Sequence, residues 1–543
     1  MKKLNIILLS IAYCLLSTVN CFPQDQWGEE GEIKSSEIII EKDRKIQLPA
    51  AIRNYEKIGI QPVKAEKTPQ KYVFEEFQLD LPPLTVKMKI LKIRREFITK
   101  PSANYLKAGF GNYLTSYLDL FLNNEKSKKY TYGTYIGHLA SQNGEVDNSG
   151  SSHNELGVYG TYFMRKLTVS GNLNYDRDVF YYYGYDQEDT TINIEKDSIK
   201  QRYSVISFSG NLHNQKSYFS KILFNADIDY YHLDALNDFK EDDISLKMTG
   251  KKDFESSGYI NVDLFLNPSI VKKDSANTRL FILLDPSYTL LKKGWQLKLG
   301  VIGNFENESF ILRPDLYGAT EILGKNLIYY NGWYGYIQPN KYRDIIKENP
   351  FVNDSIVLRG TKRNIKYTGI KGNVLRNLNY DVNFSLDNIK DFPLFVNATA
   401  DTSKFDVIYD DINLFTFHGE VSYQFSDRLM VILNGDYFDY GMKKEKKPWH
   451  LPDFKTSLMA TYNLKNKIFF NSDIYYISGL FAKIPSSGEV KKLESILDLN
   501  LVVDYRFSDK FSTFVELNNI LSKSYQRYLY YRSKGINVIG GAT

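Results

Sequence analysis

The chain has 543 residues, 69 of them basic and 64 acidic, for a formal net charge of +5, and is 15% aromatic with 42 Tyr and 33 Phe but only 4 Trp. This near balance of charge, without a long basic block, excludes a nucleic-acid partner. Apolar residues make up 43%, yet mean hydropathy is −0.37, so apolar and polar residues are finely interleaved.

The first segment, "MKKLNIILLSIAYCLLSTVNCFPQDQ", places two lysines ahead of an apolar stretch from Leu4 to Val19. It reads as a secretory signal peptide, residues 1–21, cleaved after Cys21. Asn20 and Tyr13 fit a lipoprotein signal poorly. Cys14 and Cys21 are the only cysteines, so the exported chain is expected to have neither a disulfide nor thiol chemistry. Residues 22–101 follow as a short periplasmic or lumenal segment. It contains "SSEIIIEKDRKIQLPAA" (35–51), with an apolar run at Glu37, Ile38, Ile39 and Ile40, and a basic stretch, "TVKMKILKIRREFITK" (85–100). The basic stretch reads as extended, with Lys87 and Lys89 alternating with Val86, Met88 and Ile90.

From residue 102 to the end, long stretches alternate with a period of two. Leu167, Val169, Gly171, Leu173 and Tyr175 interleave with Thr168, Ser170, Asn172, Asn174 and Asp176, and the aromatic run continues to Tyr185. The same pattern recurs at Ile222–Tyr230, Leu378–Leu386, Phe417–Phe425 and Leu497–Phe507. No later apolar run approaches the roughly 18 residues that a membrane helix needs. Strands of about 10 residues or more, wet on one face and apolar on the other, predict an all-β fold: a transmembrane antiparallel β-barrel of about 22 strands. The apolar face meets outer-membrane lipid, and the tyrosines near Tyr185 are placed at headgroup level. The wet face lines a lumen. It carries Asp176, Asp178, Asp227, Asp229, Asp263, Asp381, Glu420, Asp436, Asp498, Asp504 and Glu516, against fewer bases: Lys298, Lys371, Lys455 and Arg506. Short turns are expected at 304–309, 425–429, 463–467 and 507–511. Longer polar loops are expected at 142–152, 185–200, 233–243, 336–362, 387–411, 441–451 and 482–492. A lumen this wide is not filled by its wall, and loops 336–362 and 387–411 are long enough to fold inward and occlude it partly.

Chemical motifs are few. The six histidines show no metal-ligand spacing, and neither a nucleophile elbow nor a phosphate loop is present, so no enzyme and no cofactor are expected. His418 and Glu420 share a wet face, where a hydrogen-bonded lumen histidine is expected rather than a catalytic one. Asp186, Glu188 and Asp189 form an acidic loop, and "NDFKEDD" (237–243) a second, whose carboxylates either face solvent or hold Ca²⁺.

Three stretches resemble the barrel of TonB-dependent receptors: "LDLNLVVDYRFSDKFSTFVELNNILSKSYQRYLYYRSKGINVIGG" (497–541), "NKYRDIIKENPFV" (340–352) and "YLDLFLNNEKSKKYTYGTYIGHLAS" (117–141). The resemblance implies an outer-membrane protein that binds or transports a solute, coupled through a TonB-type partner. It implies that Glu37–Ile40 is the coupling segment; read from the residues alone, that run is an ordinary short strand. Two departures stand out. Residues 22–101 are too few for the family's plug domain, and the chain closes on Gly540, Gly541, Ala542 and Thr543 without the family's terminal aromatics. The alternative function is a plug-less barrel that serves as a scaffold in an outer-membrane complex with lipoprotein or periplasmic partners.

Overall fold

A computed structural model describes residues 104–543 apart from 125, 126, 128, 145, 186–194, 215–221, 255, 256, 274, 275, 308 and 376. The leader 1–21, the segment 22–101 with Glu37–Ile40 and the basic stretch, and the loop residues Asp186, Glu188 and Asp189 lie outside the described residues. No described helix is long and apolar enough to cross a membrane.

The chain forms one antiparallel sheet of 22 strands. Each strand pairs with the next in sequence, and the first, Asn104–Gly111, closes on the last, Asn537–Ala542, through Ala108↔Ala542 to Gly111↔Ile539. Closure leaves no edge, so the backbone bonds to itself all round and can face hydrocarbon. The polarity is inverted relative to a soluble sandwich. Val169, Leu173, Phe208, Phe224 and Leu299 are 37–54% exposed on the outer face. Asn304, Asp387 and Asp498 are at most 3% exposed on the inner one. An apolar exterior over a polar interior is the pattern of a membrane-spanning barrel. Where a glycine and a tyrosine meet on the inner wall, as at Gly332 and Tyr367, the ring lies where the glycine's Cβ would be, so the missing side chain is itself a packing feature.

The two ends differ. One carries tight turns such as 164–166, 427–428 and 465–467; the other carries 182–199, 339–360, 443–453, 479–495 and 519–536. The connection within 304–309 belongs to the second end: it joins Trp295–Glu306 to Ser309–Glu321, so a short turn does not by itself mark the short-turn end. Two expected loops are mostly strand. Residues 240–243 begin Lys240–Phe254, and 387–411 is an extended hairpin, Leu378–Asn397 against Phe405–Ser426, of 20 and 22 residues. A bulge between Ile389 and Phe392 resets its register. Beyond it, Leu394, Phe395 and Phe405 are buried, which keeps a sequence rich in turn residues extended. About ten residues span the hydrocarbon, so this hairpin reaches well past the membrane. The stretch 517–525, which resembles a turn between the family's last strands, opens a long loop, 519–536, with its own small hairpin, Gln526–Tyr528 against Tyr531–Arg532.

Candidate functional site

The long-loop end is closed by the chain itself. Loop 339–360 turns into the mouth and carries the helix α1 (Tyr342–Glu348). Tyr342, Ile345 and Ile346, spaced as one helical face, are its buried residues. Its N-cap residue, Lys341, offers no side-chain cap. The wall supplies one instead: the Glu241 carboxylate accepts from the backbone N–H of Tyr342 at 2.9 Å and of Arg343 at 3.0 Å, and Tyr231 Oη donates to it at 2.9 Å. A carboxylate at a helix N-terminus satisfies orphan donors and meets the positive end of the helix dipole. Lys341 pairs with Asp243 at 2.8 Å and Arg343 reaches Asp176 at 3.7 Å. Wall acids thus hold a basic insert.

Around α1 the inner wall is apolar. Tyr342 stacks on Phe239 with ring centroids 3.8 Å apart, and Phe180, Tyr203, Val205, Leu233 and Ala235 complete that core. Farther along the loop, Phe351 stacks on Tyr531 at 3.6 Å, and Tyr183 meets the same ring at 4.8 Å. Tyr528 Oη donates to the Glu348 carbonyl at 2.8 Å, and Tyr531 Oη donates to that of Ser403. Of the tyrosines expected at headgroup level, Tyr183 packs in the mouth instead, while Tyr175 and Tyr181 keep the outward parity of the strand Leu167–Tyr181. Phe180, Tyr182 and Tyr183 pack in the mouth, because the inserted loop gives them partners; Tyr175 is the exposed outer tyrosine.

His450 ties three segments together. Its Nδ1 lies 3.0 Å from the Phe395 carbonyl, its Nε2 accepts from the Leu529 backbone N–H at 3.3 Å, and its own carbonyl accepts from Arg527. Complete burial pulls its pKa down to about 4, with the Arg527 charge acting in the same direction. The ring is neutral at pH 7, with Nδ1 as donor and Nε2 as acceptor.

Below the mouth the same inner face turns polar. Strand register places all eleven acids named above on it, in small groups. Asp176 lies opposite Glu155 and Asp178 opposite His153; Asp263 faces Asp285, and Asp381 faces Glu420. Most have partners. Asp178 meets His153 at 2.6 Å, and Asp436 meets His418 at 2.7 Å and Lys455 at 3.3 Å. Asp498 accepts from Tyr475 and Tyr525, both at 2.7 Å. Asp263 accepts from Thr249 at 2.7 Å and Asn261 at 2.5 Å, Asp227 accepts from Asn225 at 2.5 Å, and Asp381 accepts from Tyr330. Glu516 lies 4.0 Å from Lys107, whose charge also acts on Asp504. Asp229 and Glu420 make no hydrogen bond or ion pair among the described residues. Of the four bases, Lys298 pairs with Asp315, Lys371 lies 5.0 Å over the Tyr330 ring, and Arg506 lies 4.8 Å over Phe469. No group of three His, Cys, Asp or Glu among the described residues is placed to hold a metal.

Sequence reasoning gave no role to His450 or Tyr531, and took Glu241 only as one carboxylate of the acidic stretch 237–243. Glu241 fell in an expected loop, and no period-two pattern marks the other two. The spacing of Tyr342, Ile345 and Ile346 was the available signal for α1.

No family model and no curated protein sequence matches this chain. Among solved structures it is similar to the FrpB iron transporter from Neisseria meningitidis, with a TM-score of 0.65 at 9% identity, covering 81% of this chain and 80% of that one. It is also similar to the ferric-catecholate import receptor Fiu from E. coli K12 (TM-score 0.63, 10% identity, 82% and 81% covered). A third is the ferric enterobactin receptor PfeA from Pseudomonas aeruginosa (TM-score 0.62, 10% identity, 81% and 79% covered). At such identities the likeness is one of fold: the chain has the barrel architecture of these outer-membrane iron receptors.

Proposed function

We propose that the protein is an outer-membrane barrel of the TonB-dependent-receptor type that passes a solute through a gated lumen, with its long-loop end outside the cell. The observation that carries this reading is the sequence of layers along the axis: an apolar mouth closed by the chain's own loop, above a hydrophilic wall rich in carboxylates, tyrosines and asparagines. A mouth held shut by aromatic and polar contacts within the chain is a gate that ligand contacts can bias. The wall below offers a solute exchangeable hydrogen bonds. Ferric chelates are the first solutes to try, since the similar solved structures are named for them. Energy coupling is assigned to Glu37–Ile40, so deleting residues 37–40 should abolish uptake while leaving solute binding to intact cells unchanged. Uptake that survives the deletion would remove the energy-coupled reading.

A second reading, a barrel subunit that scaffolds an outer-membrane complex with lipoprotein or periplasmic partners, is favoured by the dry packing of Phe351, Tyr531 and His450, which resembles a permanent core. Gentle-detergent purification separates the two. A transporter binds solute when isolated, whereas a scaffold retains stoichiometric partners and binds none.

A further inference from the structure

Loops 443–453, 479–495 and 519–536 pack into one unit on the long-loop end. Its core is Leu480, Ala482, Leu493 and Leu529, each at most 6% exposed, and the buried Trp449 joins it through a backbone bridge to Phe481. The hairpin Phe481–Lys483 against Val490–Lys492 lies over it. His450 N–H donates to the Phe481 carbonyl at 2.7 Å and Leu493 N–H to that of Leu480 at 2.9 Å. The solvent face of this unit is strongly basic, with Glu489 and Glu494 as its exposed acids among the described residues. Lys443, Lys444, Lys446, Lys447, Lys491 and Lys492 are exposed, and loop 519–536 adds Lys523, Arg527, Arg532 and Lys534 with no acid. Lys483 is paired, with Glu445 at 3.3 Å, but Lys443, Lys446, Lys447, Lys491 and Lys492 make no ion pair among the described residues. Elsewhere on this end several cations have carboxylates: Lys341 with Asp243, Lys404 with Asp401, Lys273 with Asp354.

We propose that this unit is a docking platform for an acidic polypeptide partner. A surface serving only solubility mixes both signs. A rigid, strongly basic field raises the local concentration of an oppositely charged partner and speeds its encounter. Two of the ammonium groups are already placed against rings, Lys447 4.6 Å over Phe481 and Lys491 5.9 Å over Tyr530, so less side-chain freedom is lost on binding. Position favours a protein over lipid headgroups. The unit leans into the mouth, where His450 meets Phe405 at 5.4 Å and Tyr528 at 5.5 Å. Lys443 stands roughly 20 Å of extended chain beyond Tyr437, an exposed aromatic on the outer face of that strand. The inference is independent of solute passage and applies to a transporter or a scaffold.

The test uses the full chain in neutral nanodiscs and, as probe, fluorescent poly-L-glutamate of about 40 residues at 50 mM NaCl. Binding by the wild type, lost at 500 mM NaCl, is expected. Reversal of four lysines together (Lys443→Glu, Lys446→Glu, Lys447→Glu, Lys491→Glu) should weaken it at least tenfold. Neutral replacement of the same four by Gln should give an intermediate loss, and reversal of Lys465, Lys467 and Lys510 on the short turns should change nothing. Heat-modifiable gel migration confirms that each variant is folded. Equal loss from the short-turn reversal, or no binding by the wild type, overturns the proposal. So does lysine-dependent binding to phosphatidylglycerol vesicles without binding to poly-L-glutamate, which would assign the platform to lipid.

Discussion

The inner face of a single strand carries two chemistries. In Lys200–Asn214 it reads Tyr203 and Val205 near the long loops, then Ser207, Ser209, Asn211 and His213 below. In Ile222–Ala235 it reads Ala235, Leu233 and Tyr231, then Asp229, Asp227 and Asn225. Parity, backbone and hydrogen bonding are unchanged between the halves. The difference is what faces them: the upper half meets the chain's own inserted loops and becomes a protein core, while the lower half faces the polar lumen. Inward direction in a barrel therefore does not set polarity; the occupant does.

The sharpest break of this comparison is a charge placed at two heights on one strand. Val205→Arg puts an unpaired cation into the mouth core and should cost several kcal/mol, releasing loop 339–360 to protease. Ser209→Arg, four residues lower on the same face, should leave protease resistance and heat-modifiable migration unchanged. Equal effects would mean that the mouth is no drier than the lumen.

Truncating the core from the loop side should come next. Phe351→Ala removes a partly buried ring stacked on Tyr531, a loss below the roughly 3–5 kcal/mol of a fully buried aromatic. Hydrogen exchange should rise across 339–360 and 525–534 and remain low in the strands.

Acid provides a third break. His450 has a folded pKa of about 4 against an ordinary 6.5, so the native mouth excludes its proton. Its contribution is complete above pH 6.5 and is lost as pH falls from there towards 4, with a limit of about 3 kcal/mol. Exchange at Leu529 should rise over that window in the wild type, and His450→Gln should remove the pH dependence. A flat profile in the wild type would show that His450 is not the tie between loops.

A smaller effect is expected at the helix cap. Glu241→Gln keeps the shape but removes the charge that faces the α1 N-terminus, a loss of about 1–2 kcal/mol. Asp436→Asn in the lower wall should change stability by less, because its His418 and Lys455 partners are partly exposed.

The barrel was legible because a period of two survives any tertiary context: Val169, Leu173 and Phe224 face outward wherever the strand sits. The mouth was not legible, for a physical reason. Tyr183, Phe351 and Tyr531 lie in loops, where no period links residues hundreds of positions apart, and the strand's aromatic end fits a headgroup belt as well as a core. Likewise 387–411, with its Asp, Asn and Pro, has the composition of a loop. Only the buried Leu394, Phe395 and Phe405 hold it as a hairpin. The acids of the wall could be assigned to a face but not to partners, since Asp498 meets Tyr525 only through the loop 519–536, whose course no period marks.

The central claim, that the chain's own loops seal the long-loop end, is tested most directly by cysteine accessibility at neighbouring positions. Ala235 is 2% exposed inside the mouth and Leu236, the next residue, is 44% exposed. With Cys14 and Cys21 replaced, Ala235→Cys and Leu236→Cys are each treated on intact cells with a membrane-impermeant maleimide. Leu236→Cys should label within minutes, and Ala235→Cys at least a hundredfold more slowly, becoming fast when combined with Val205→Arg. Equal labelling of the two in otherwise wild-type protein would contradict the closed mouth.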